Sequence, residues 1–320
     1  MTISTAKSTF AKPFLKWAGG KGQLLAEIEK RLPAELRESQ IDTYVEPFVG
    51  GGAVFFHIAQ KYQSIKNFYL LDINEDLINC YKAVKQDVES LIVELKLLQE
   101  KFLSLTGSKR KEFYLEIRAD FNEEKLVGFV IKTAAKLIFL NKNCYNGLYR
   151  VNRKGEFNVP FGDYKNPKIC DKENLKNVSR LLQRTEILCG DFTESDSFID
   201  ENTFVYFDPP YRPLSQTASF TSYSKDSFSE KDQIRLAEFC KQVDTKGAKF
   251  LLSNSDPKNE NPKDHFFEDN YPQDKGFTID TVKAIRAINC KASKRGQINE
   301  LLITNYRIET QDFQWREKRL

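Results

Sequence analysis

The stretch that decides the fold is FVYFDPPY, residues 204–211. Its first four residues are apolar and predict a buried strand. The prolines that follow have no N–H to donate to a sheet ladder, so the strand must end there. The step Asp208-Pro209-Pro210-Tyr211 then holds a carboxylate and an aromatic ring on stiff backbone. It suits a flat substrate with an amine, because the carboxylate and a proline carbonyl can accept hydrogen bonds while the ring stacks. An ordinary turn is the alternative.

A glycine-rich segment lies earlier in the chain, EPFVGGGAVFF at residues 46–56. It is typical of a strand end, a turn and a helix start, where glycines let a ligand approach the backbone and the helix offers free N–H groups. A second apolar strand at residues 68–72 ends in Asp72, twenty residues beyond Gly52. In nucleotide-binding α/β folds an acid at about that distance accepts bonds from ribose hydroxyls. The pattern is neither G-x-G-x-x-G nor a Walker loop, so a turn needed only for packing is the alternative.

The composition is that of a soluble globular protein. The 320 residues are 40% hydrophobic and 29% charged, which fits one large domain or a core with an inserted module. The chain has no run of eighteen apolar residues and no apolar signal core, so we expect no membrane span and a cytoplasmic protein. None of the six cysteines form a C-x-x-C pair, and we expect reduced thiols. His57 and His265 are far apart, so we expect neither a metal site nor a Ser-His-Asp triad.

A basic segment spans residues 142–168. Its six Lys and Arg residues outnumber Glu156 and Asp163, which leaves a local net charge of +4. Rings and amides alternate with the charges: Tyr145, Tyr149, Phe157, Phe161 and Tyr164, with Asn143, Asn146, Asn152 and Asn158. Cations for phosphates, amides for base edges and rings for stacking predict nucleic-acid binding. A solvated basic loop is the alternative.

The order of patterns along the chain predicts an α/β protein. Residues 10–74 alternate strand and helix and begin with a strand, and residues 75–140 have helical spacing. Strands return at residues 186–189, 204–207, 250–253 and 301–304, with a helix near 230–244 and a mobile loop at 256–276. This alternation predicts a largely parallel, doubly wound sheet. We assign residues 1–74 and 171–320 to the sheet domain, and residues 75–170 to an inserted, mostly helical module.

Several blocks together resemble the D12 class of adenine-N6 DNA methyltransferases, of the Dam and DpnII type. These blocks are PFLKWAGGK at 13–21, EPFVGGG at 46–52, NCYNGLYR at 143–150, GEFNVPFG at 155–162, GDF at 190–192 and DPPY at 208–211. YRPLS at 211–215 and FTSY at 220–223 resemble the branch that modifies GATC. The resemblance implies a Rossmann-like S-adenosylmethionine-dependent methyltransferase sheet with an inserted target-recognition domain. It also implies double-stranded DNA as the substrate and no obligate protein partner.

The resemblance implies a role for individual residues. The implied cofactor contacts are Trp17, Ala18, Gly19, Gly20, Lys21, Phe48, Gly50, Gly52, Asp72, Ile73, Asp191, Phe192 and Asp208. Asp72 would accept bonds from the ribose, and Asp191 and Phe192 would hold the cofactor adenine. The implied DNA contacts are Lys16, Tyr145, Asn146, Leu148, Arg150, Pro160, Tyr164 and Ser215. The alternatives are that Trp17 and Tyr211 only pack, that Asp72 and Asp191 cap helices, and that Arg150 pairs with an acid. Arg212 receives no role.

The mechanistic hypothesis centres on Asp208, Pro209, Pro210 and Tyr211. The enzyme would flip an adenine out of the duplex, Tyr211 would stack on it, and Asp208 with the Pro209 carbonyl would accept both N6 hydrogens. A methyl group would then pass directly to N6, without a metal, in a restriction-modification or housekeeping role. The rival hypotheses are methylation of an RNA adenine or a protein amide, and a DNA-binding relative that has lost catalysis. Protein-modifying relatives usually have Asn in place of Asp208.

Overall fold

The computed structural model describes residues 10–125, 131–212, 228–285 and 297–308. A seven-stranded sheet forms its centre, in the order β3-β2-β1-β4-β5-β7-β6. The strands are β1 Thr43–Glu46, β2 Asn67–Asp72, β3 Thr185–Cys189, β4 Thr203–Phe207, β5 Lys249–Ser255, β6 Thr278–Ile285 and β7 Gln297–Thr304. Strands β1 to β5 pair in parallel, whereas β7 pairs antiparallel with β5 and β6. The predicted α/β class and largely parallel sheet are confirmed.

Helices account for most of the remaining regular structure. They are α1 Leu25–Lys30, α2 Ala34–Arg37, α3 Ala53–Lys61, α4 Glu75–Gln86, α5 Val88–Ser104, α6 Ser108–Glu124, α7 Ile131–Asn143, α8 Lys172–Leu182, α9 Glu230–Thr245 and α10 Phe266–Asn270. Short 3-10 helices occur at Lys21–Gln23, Tyr145–Gly147, Phe192–Phe198, Pro257–Asn259 and Gln273–Lys275. No helix in the described part of the chain is long and apolar enough to span a membrane.

Strand β4 lies at the centre of the sheet, and every one of its residues is buried. Phe204 and Tyr206 face one hydrophobic cluster, and Val205 and Phe207 face the other. A strand that is covered on both faces has a continuous run of apolar residues in its sequence. This is why the sequence predicts a buried strand here. The strand ends at Phe207, directly before Asp208, as the prolines predict.

The predicted strand near the start of the chain is wrong: among residues 10–42 the structure describes helices and turns only. Phe14 and Leu15 are buried, and their apolar character made the stretch look like a strand. Side chains bind its backbone instead of a neighbouring strand. Ala11 donates its N–H to Gln60 Oε1 at 2.6 Å, and Lys16 donates its N–H to Asn141 Oδ1 at 2.8 Å.

Residues 256–276 are not the loop that their charge predicts. They contain α10 and two 3-10 helices, and the side chains of Phe267 and Tyr271 are 1% exposed. These rings pack with Cys240 and Phe250 in the cluster on the α9 face of the sheet. Strand β6, which follows this region, was also missed. The buried rings of Phe267 and Tyr271 hold this segment against the sheet domain. The charged residues between them give the sequence the composition of a loop.

The region 75–140 is helical where it is described, which confirms that prediction. Helix α4 packs against β3 and α8, while α7 packs against α5 and α6. The basic segment that follows α7 is irregular, as expected, with isolated bridges between Cys144 and Phe161 and between Val151 and Phe157. The assignment of residues 75–170 to a separate recognition domain remains a prediction.

Candidate active site

The carboxyl ends of the parallel strands β1, β2 and β4 border one cleft with a volume of about 1420 Å³. In open α/β sheets, ligands bind at this edge. The residues predicted for cofactor binding and catalysis all line it: Trp17, Ala18, Gly19, Gly20, Lys21, Phe48, Gly50, Gly52, Asp72, Ile73, Asp191, Phe192, Asp208, Pro209, Pro210 and Tyr211. Leu148 and Arg150, from the predicted DNA contacts, line the same cleft.

Asp208 forms an ion pair with Lys21, whose Nζ lies 2.6 Å from Oδ1. The Lys21 side chain is 3% exposed and that of Asp208 is 20% exposed. The same ammonium contacts the Gly19 carbonyl at 3.0 Å and the Tyr211 hydroxyl at 3.3 Å. Burial alone would lower the pKa of Lys21, but Asp208, Tyr211 and Glu300 together raise it. Lys21 is therefore a charged ammonium at the bottom of the cleft.

A hydrogen-bonded pair of hydroxyl groups, from Ser253 and Tyr206, also contacts Asp208 through Ser253. Ser253 on β5 donates to Asp208 Oδ1 at 3.1 Å, and its hydroxyl lies 3.0 Å from that of Tyr206. Burial raises the pKa of Asp208, while Lys21 and Ser253 oppose that rise. The Asp208 carboxylate is thus held in place by donors that favour its ionised form.

Glu46 is a second buried carboxyl group in the cleft, with 2% of its surface exposed. The Tyr44 hydroxyl donates to its Oε2 at 2.6 Å. Burial raises the pKa of Glu46 well above its usual value, and the nearby Asp208 adds to that rise. Burial and Asp208 therefore favour the neutral form of Glu46, while the hydrogen bond from Tyr44 opposes that effect.

The two proline carbonyls of the step differ in their surroundings. Gln233 on α9 donates its Nε2 to the Pro210 carbonyl at 2.8 Å, and Asn254 donates its Nδ2 to Gln233 at 3.2 Å. Both amides are buried. Among the described residues, no hydrogen-bond donor contacts the Pro209 carbonyl.

Arg212, which follows the step, joins three parts of the chain. Its guanidinium binds Glu230 at the start of α9 at 2.6 Å and Asp264 at 2.7 Å. It also lies 4.2 Å from the centre of the Phe266 ring. Arg212 thus ties the Asp-Pro-Pro-Tyr step to α9 and to the segment 256–276, for which the sequence suggested no function.

Trp17 lies directly against the glycine turn. A side chain at Gly50, whose φ is +46°, would place its Cβ 2.9 Å from Trp17 Cδ1. On its other side, Trp17 stacks on Tyr149 with ring centres 5.3 Å apart. The half-buried indole therefore packs and also lines the cleft. The packing role of Trp17 is therefore compatible with the predicted contact to a ligand.

Asp72, at the end of β2, accepts backbone N–H groups with both oxygens. Gly50 donates to Oδ2 at 3.0 Å and Asn74 donates to Oδ1 at 2.9 Å. The helix cap of α4 is Asn74, not Asp72, so the alternative of a capping role for Asp72 is wrong. Burial raises the pKa of Asp72 to about 6, against the effect of both donors.

Asp191 does cap a helix, which confirms the alternative interpretation of this residue. Its carboxylate accepts from Thr193 N–H, and Glu194 completes a capping box. Arg235 binds both carboxylate oxygens, at 2.7 and 2.8 Å, and lies 4.4 Å from the centre of the Phe192 ring. Burial opposes ionisation, but Arg235 and Thr193 lower the pKa of Asp191 to about 2. Capping leaves room for a ligand, because a carboxylate offers about four lone-pair sites.

Three of the predicted DNA contacts meet in one cluster outside the cleft. The Lys16 ammonium lies 4.5 Å from the centre of the Tyr164 ring, and the Asn146 N–H donates to the Tyr164 hydroxyl at 3.1 Å. Tyr145, which is 54% exposed, donates its backbone N–H to the Pro160 carbonyl at 2.8 Å.

The Arg150 guanidinium binds Asn158 through Nε at 2.6 Å and through Nη2 at 3.0 Å. These bonds orient the Arg150 side chain at the rim of the cleft. Among the DNA contacts, Ser215 lies outside the described residues, as do residues 220–223 of the GATC-type resemblance.

The sequence did not single out several polar residues of this centre, namely Glu46, Gln233, Ser253, Asn254 and Glu300. Ser253 and Glu300 had a usable signal, because each interrupts or precedes an apolar strand run. A polar residue in such a run must find a partner or a function. Within the described residues, no group of three or more His, Cys, Asp and Glu side chains could hold a metal ion.

The strand order, the reversed β7 and the acid-lined cleft define a Rossmann-like methyltransferase. Residues 17–288 match the family model of the D12 class N6 adenine-specific DNA methyltransferases. The chain therefore belongs to this family. It is an adenine-specific DNA methyltransferase.

Relatives from distant organisms are similar over nearly their whole length. The type II methyltransferase M.MjaIII of Methanocaldococcus jannaschii is 57% identical over 92% of this chain and 99% of its own. The type II methyltransferase M1.LlaDCHI of Lactococcus lactis is 40% identical over 92% of this chain and 95% of its own. The DNA adenine methylase of Escherichia coli K12 is 34% identical over 91% of this chain and 94% of its own.

Proposed function

We propose that the protein transfers a methyl group from S-adenosylmethionine to N6 of an adenine flipped out of double-stranded DNA, within GATC. The observation that carries this proposal is the Asp208 carboxylate beside the Tyr211 ring, at the edge of the cleft that Asp72 and Trp17 also line. A planar amine and a nucleoside cofactor would need these groups on one surface.

The cleft residues fit S-adenosylmethionine in both shape and charge. The Cβ that Gly50 lacks would press on Trp17, so a larger residue in the glycine turn would displace the indole that lines the cleft. Asp72 would accept bonds from the ribose hydroxyls. Ile73, which is 63% exposed, and Phe192 would cover the adenine ring. When bound, the cofactor supplies a methyl group on a positively charged sulfur.

The residues of the step would act on the target adenine. Its N6 lone pair is delocalised into the ring, so the amine is a weak nucleophile. Asp208 and the Pro209 carbonyl would accept both N6 hydrogens, and the carboxylate would stabilise the positive charge that develops on nitrogen. Tyr211 would stack on the ring and hold N6 in place. Such alignment can lower a reaction barrier by about 7–11 kcal/mol.

The basic segment would bind the DNA and select the site. Arg150, oriented by Asn158, would form paired bonds with a guanine, worth about 1–3 kcal/mol of discrimination. Lys16, Asn146 and Tyr164 form one cluster that would contact the bases beside the flipped adenine. Tyr145, Pro160 and Ser215 would complete the contacts. The choice of GATC rests on the resemblance of residues 211–215 and 220–223 to that branch.

The experiment supplies labelled S-adenosylmethionine with duplex DNA that contains GATC, with singly substituted duplexes, with RNA and with protein. We expect label in N6-methyladenine of the GATC duplex only. Transfer to RNA or protein, or no preference for GATC, would contradict the proposal.

Asp208→Ala tests the central residue in the same assay. We expect it to bind cofactor and DNA like the wild type but to lose nearly all transfer, because the acceptor for N6 is gone. Asp120→Ala, which removes a half-exposed carboxylate on α6, serves as the control and should transfer normally. Substantial methylation by Asp208→Ala would remove Asp208 from the chemistry.

A further inference from the structure

The Asp208 carboxylate, which would bind the amine of the target adenine, already forms an ion pair with Lys21. Lys21 Nζ lies 2.6 Å from the same Oδ1 that accepts from Ser253. An ammonium in this position cancels the negative charge that would stabilise a cationic N6. Lys21 and Ser253 both contact Oδ1, so an adenine amine that binds Oδ2 would compete with Lys21 for the negative charge of the carboxylate.

Lys21 has other acceptors within reach. An ammonium has three N–H donors, and those of Lys21 already contact the Gly19 carbonyl and the Tyr211 hydroxyl. Nζ lies 5.0 Å from the centre of the Tyr211 ring. If Lys21 releases Asp208, it can therefore stay charged and bonded in the same place.

We propose that Lys21 is a displaceable counter-ion: it keeps Asp208 ionised and oriented in the empty site, and it yields the carboxylate to the adenine amine. This inference rests on the proposed function, and it gives Lys21 a different role from the cofactor contact that the resemblance implies. Lys21 is in this sense a positioning residue, because it acts through Asp208.

Burial disfavours the ionised form of Asp208, and the described groups around it include no second cation in contact with it. Asp208 lies near Glu46 and Tyr44 on β1, Tyr206 on β4, Ser253 on β5 and Tyr211 of its own step, and Glu300 on β7 faces Lys21 and Tyr211. Among these described groups, Lys21 is the only cation that contacts the Asp208 carboxylate. Burial raises the pKa of Asp208 and Lys21 opposes that rise, so removal of the lysine charge raises the pKa further.

The test is the pH dependence of kcat/KM for methylation of a GATC duplex, with saturating cofactor and limiting DNA, for wild type and Lys21→Met, because this quantity reports the DNA-free complex in which the ion pair is intact. Methyl transfer needs ionised Asp208, so the rate should fall as the pH drops below the pKa of Asp208. This decrease is the acid limb of the pH profile. We expect Lys21→Met to move this acid limb upward by about 1–3 pH units, the usual effect of one close opposite charge. Lys21→Arg keeps the charge, and its acid limb should not lie above that of the wild type.

Cofactor affinity, measured by calorimetry, provides a readout independent of turnover. If Lys21 acts only as a counter-ion to Asp208, the affinity of Lys21→Met for S-adenosylmethionine should lie within about threefold of the wild-type value. Lys136→Met is the matched control, since Lys136 is a 13% exposed, ion-paired lysine on α7. Its pH profile and affinity should be unchanged.

Two results would overturn the inference. One is a Lys21→Met rate that falls by the same factor at every pH, and the other is a loss of cofactor affinity without movement of the acid limb. If Lys21→Met does not fold at the assay temperature, Lys21→Gln replaces it with the same expected upward shift. Wild-type protein that fails to methylate adenine would instead refute the proposed function, so the two failures are distinguishable.

Discussion

At the scale of single residues, Asp72, which we propose as the ribose acceptor, has a fixed orientation. Asp72 is half-buried at the end of β2, and both oxygens of its carboxyl group are oriented by backbone N–H groups. Burial nevertheless raises its pKa to about 6. The protein therefore holds this acid in a place where its charge is poorly solvated, and a ligand with hydroxyl donors would relieve that cost.

This pKa predicts how cofactor affinity depends on pH. An acid with a raised pKa is neutral below that value, and a neutral carboxyl group is a weaker acceptor. Affinity for S-adenosylmethionine should thus be level above pH about 6 and fall below it, by up to about tenfold per pH unit for one linked proton. Calorimetry between pH 5 and 8 measures this, and Asp72→Asn should bind weakly with no such slope. A wild-type affinity that is flat across this range would count against Asp72 as the acceptor.

At the scale of elements, the turn between β1 and α3 is packed from both sides. Gly50 donates its N–H to Asp72, and its carbonyl accepts from the Tyr81 hydroxyl at 3.1 Å. Trp17 covers the position where a side chain would extend. The turn is therefore a rigid floor of the cleft.

Gly50→Ala should damage this floor. The left-handed backbone costs about 1–2 kcal/mol for an alanine, and the added Cβ displaces Trp17 from its stack on Tyr149. We expect a loss of stability in urea and at least a tenfold loss of cofactor affinity. Gly276→Ala has positive φ but no atom within 4 Å of its Cβ, so it should lose stability alone. Equal cofactor affinity in both variants would contradict this account.

The contacts of Arg212 predict that segment 256–276 stabilises the catalytic step. Arg212→Met leaves Asp264, which is 18% exposed, without its partner. Charge-assisted bonds of this kind contribute about 1.5–3 kcal/mol, and we expect a loss of that size in urea denaturation together with slower methyl transfer. Lys241→Met removes an exposed ion pair on the same helix α9 and should change stability by less than about 1 kcal/mol. A similar effect of both changes would show that Arg212 has no special role.

The elements also show what can be read from the sequence. Strand β4 and its end were predictable, because a run buried on both faces and a double proline are local signals. Residues 10–20 and 256–276 were not, because their conformation depends on distant partners such as Asn141 and Phe250. The same holds in the site: the sequence shows Lys21 and Asp208, but only the fold pairs them.

At the scale of the whole molecule, the net charge is concentrated. The chain carries +4 in total, and residues 142–168 alone carry +4, so the rest is neutral overall. Long-range attraction to DNA should therefore come from this segment rather than from the whole surface. The segment begins at the end of α7 and borders the cleft at Leu148 and Arg150.

Salt dependence of DNA binding tests this distribution. Arg153 and Lys154 are exposed in the segment. Replacing either by Ser should reduce the slope of log affinity against log salt by about 0.9 for each phosphate that the variant no longer neutralises. Lys109→Ser, at the exposed start of α6 outside the segment, should leave the slope unchanged. Equal slopes for all variants would place the phosphate-binding cations elsewhere.

The antiparallel strand β7 has a consequence for synthesis of the protein. Glu300 on this strand hydrogen-bonds Tyr211, and β7 fills the gap between β5 and β6. Lys21 and Asp208 emerge from the ribosome long before Glu300 does. A nascent chain therefore contains Lys21 and Asp208 before β7 can complete the sheet between β5 and β6.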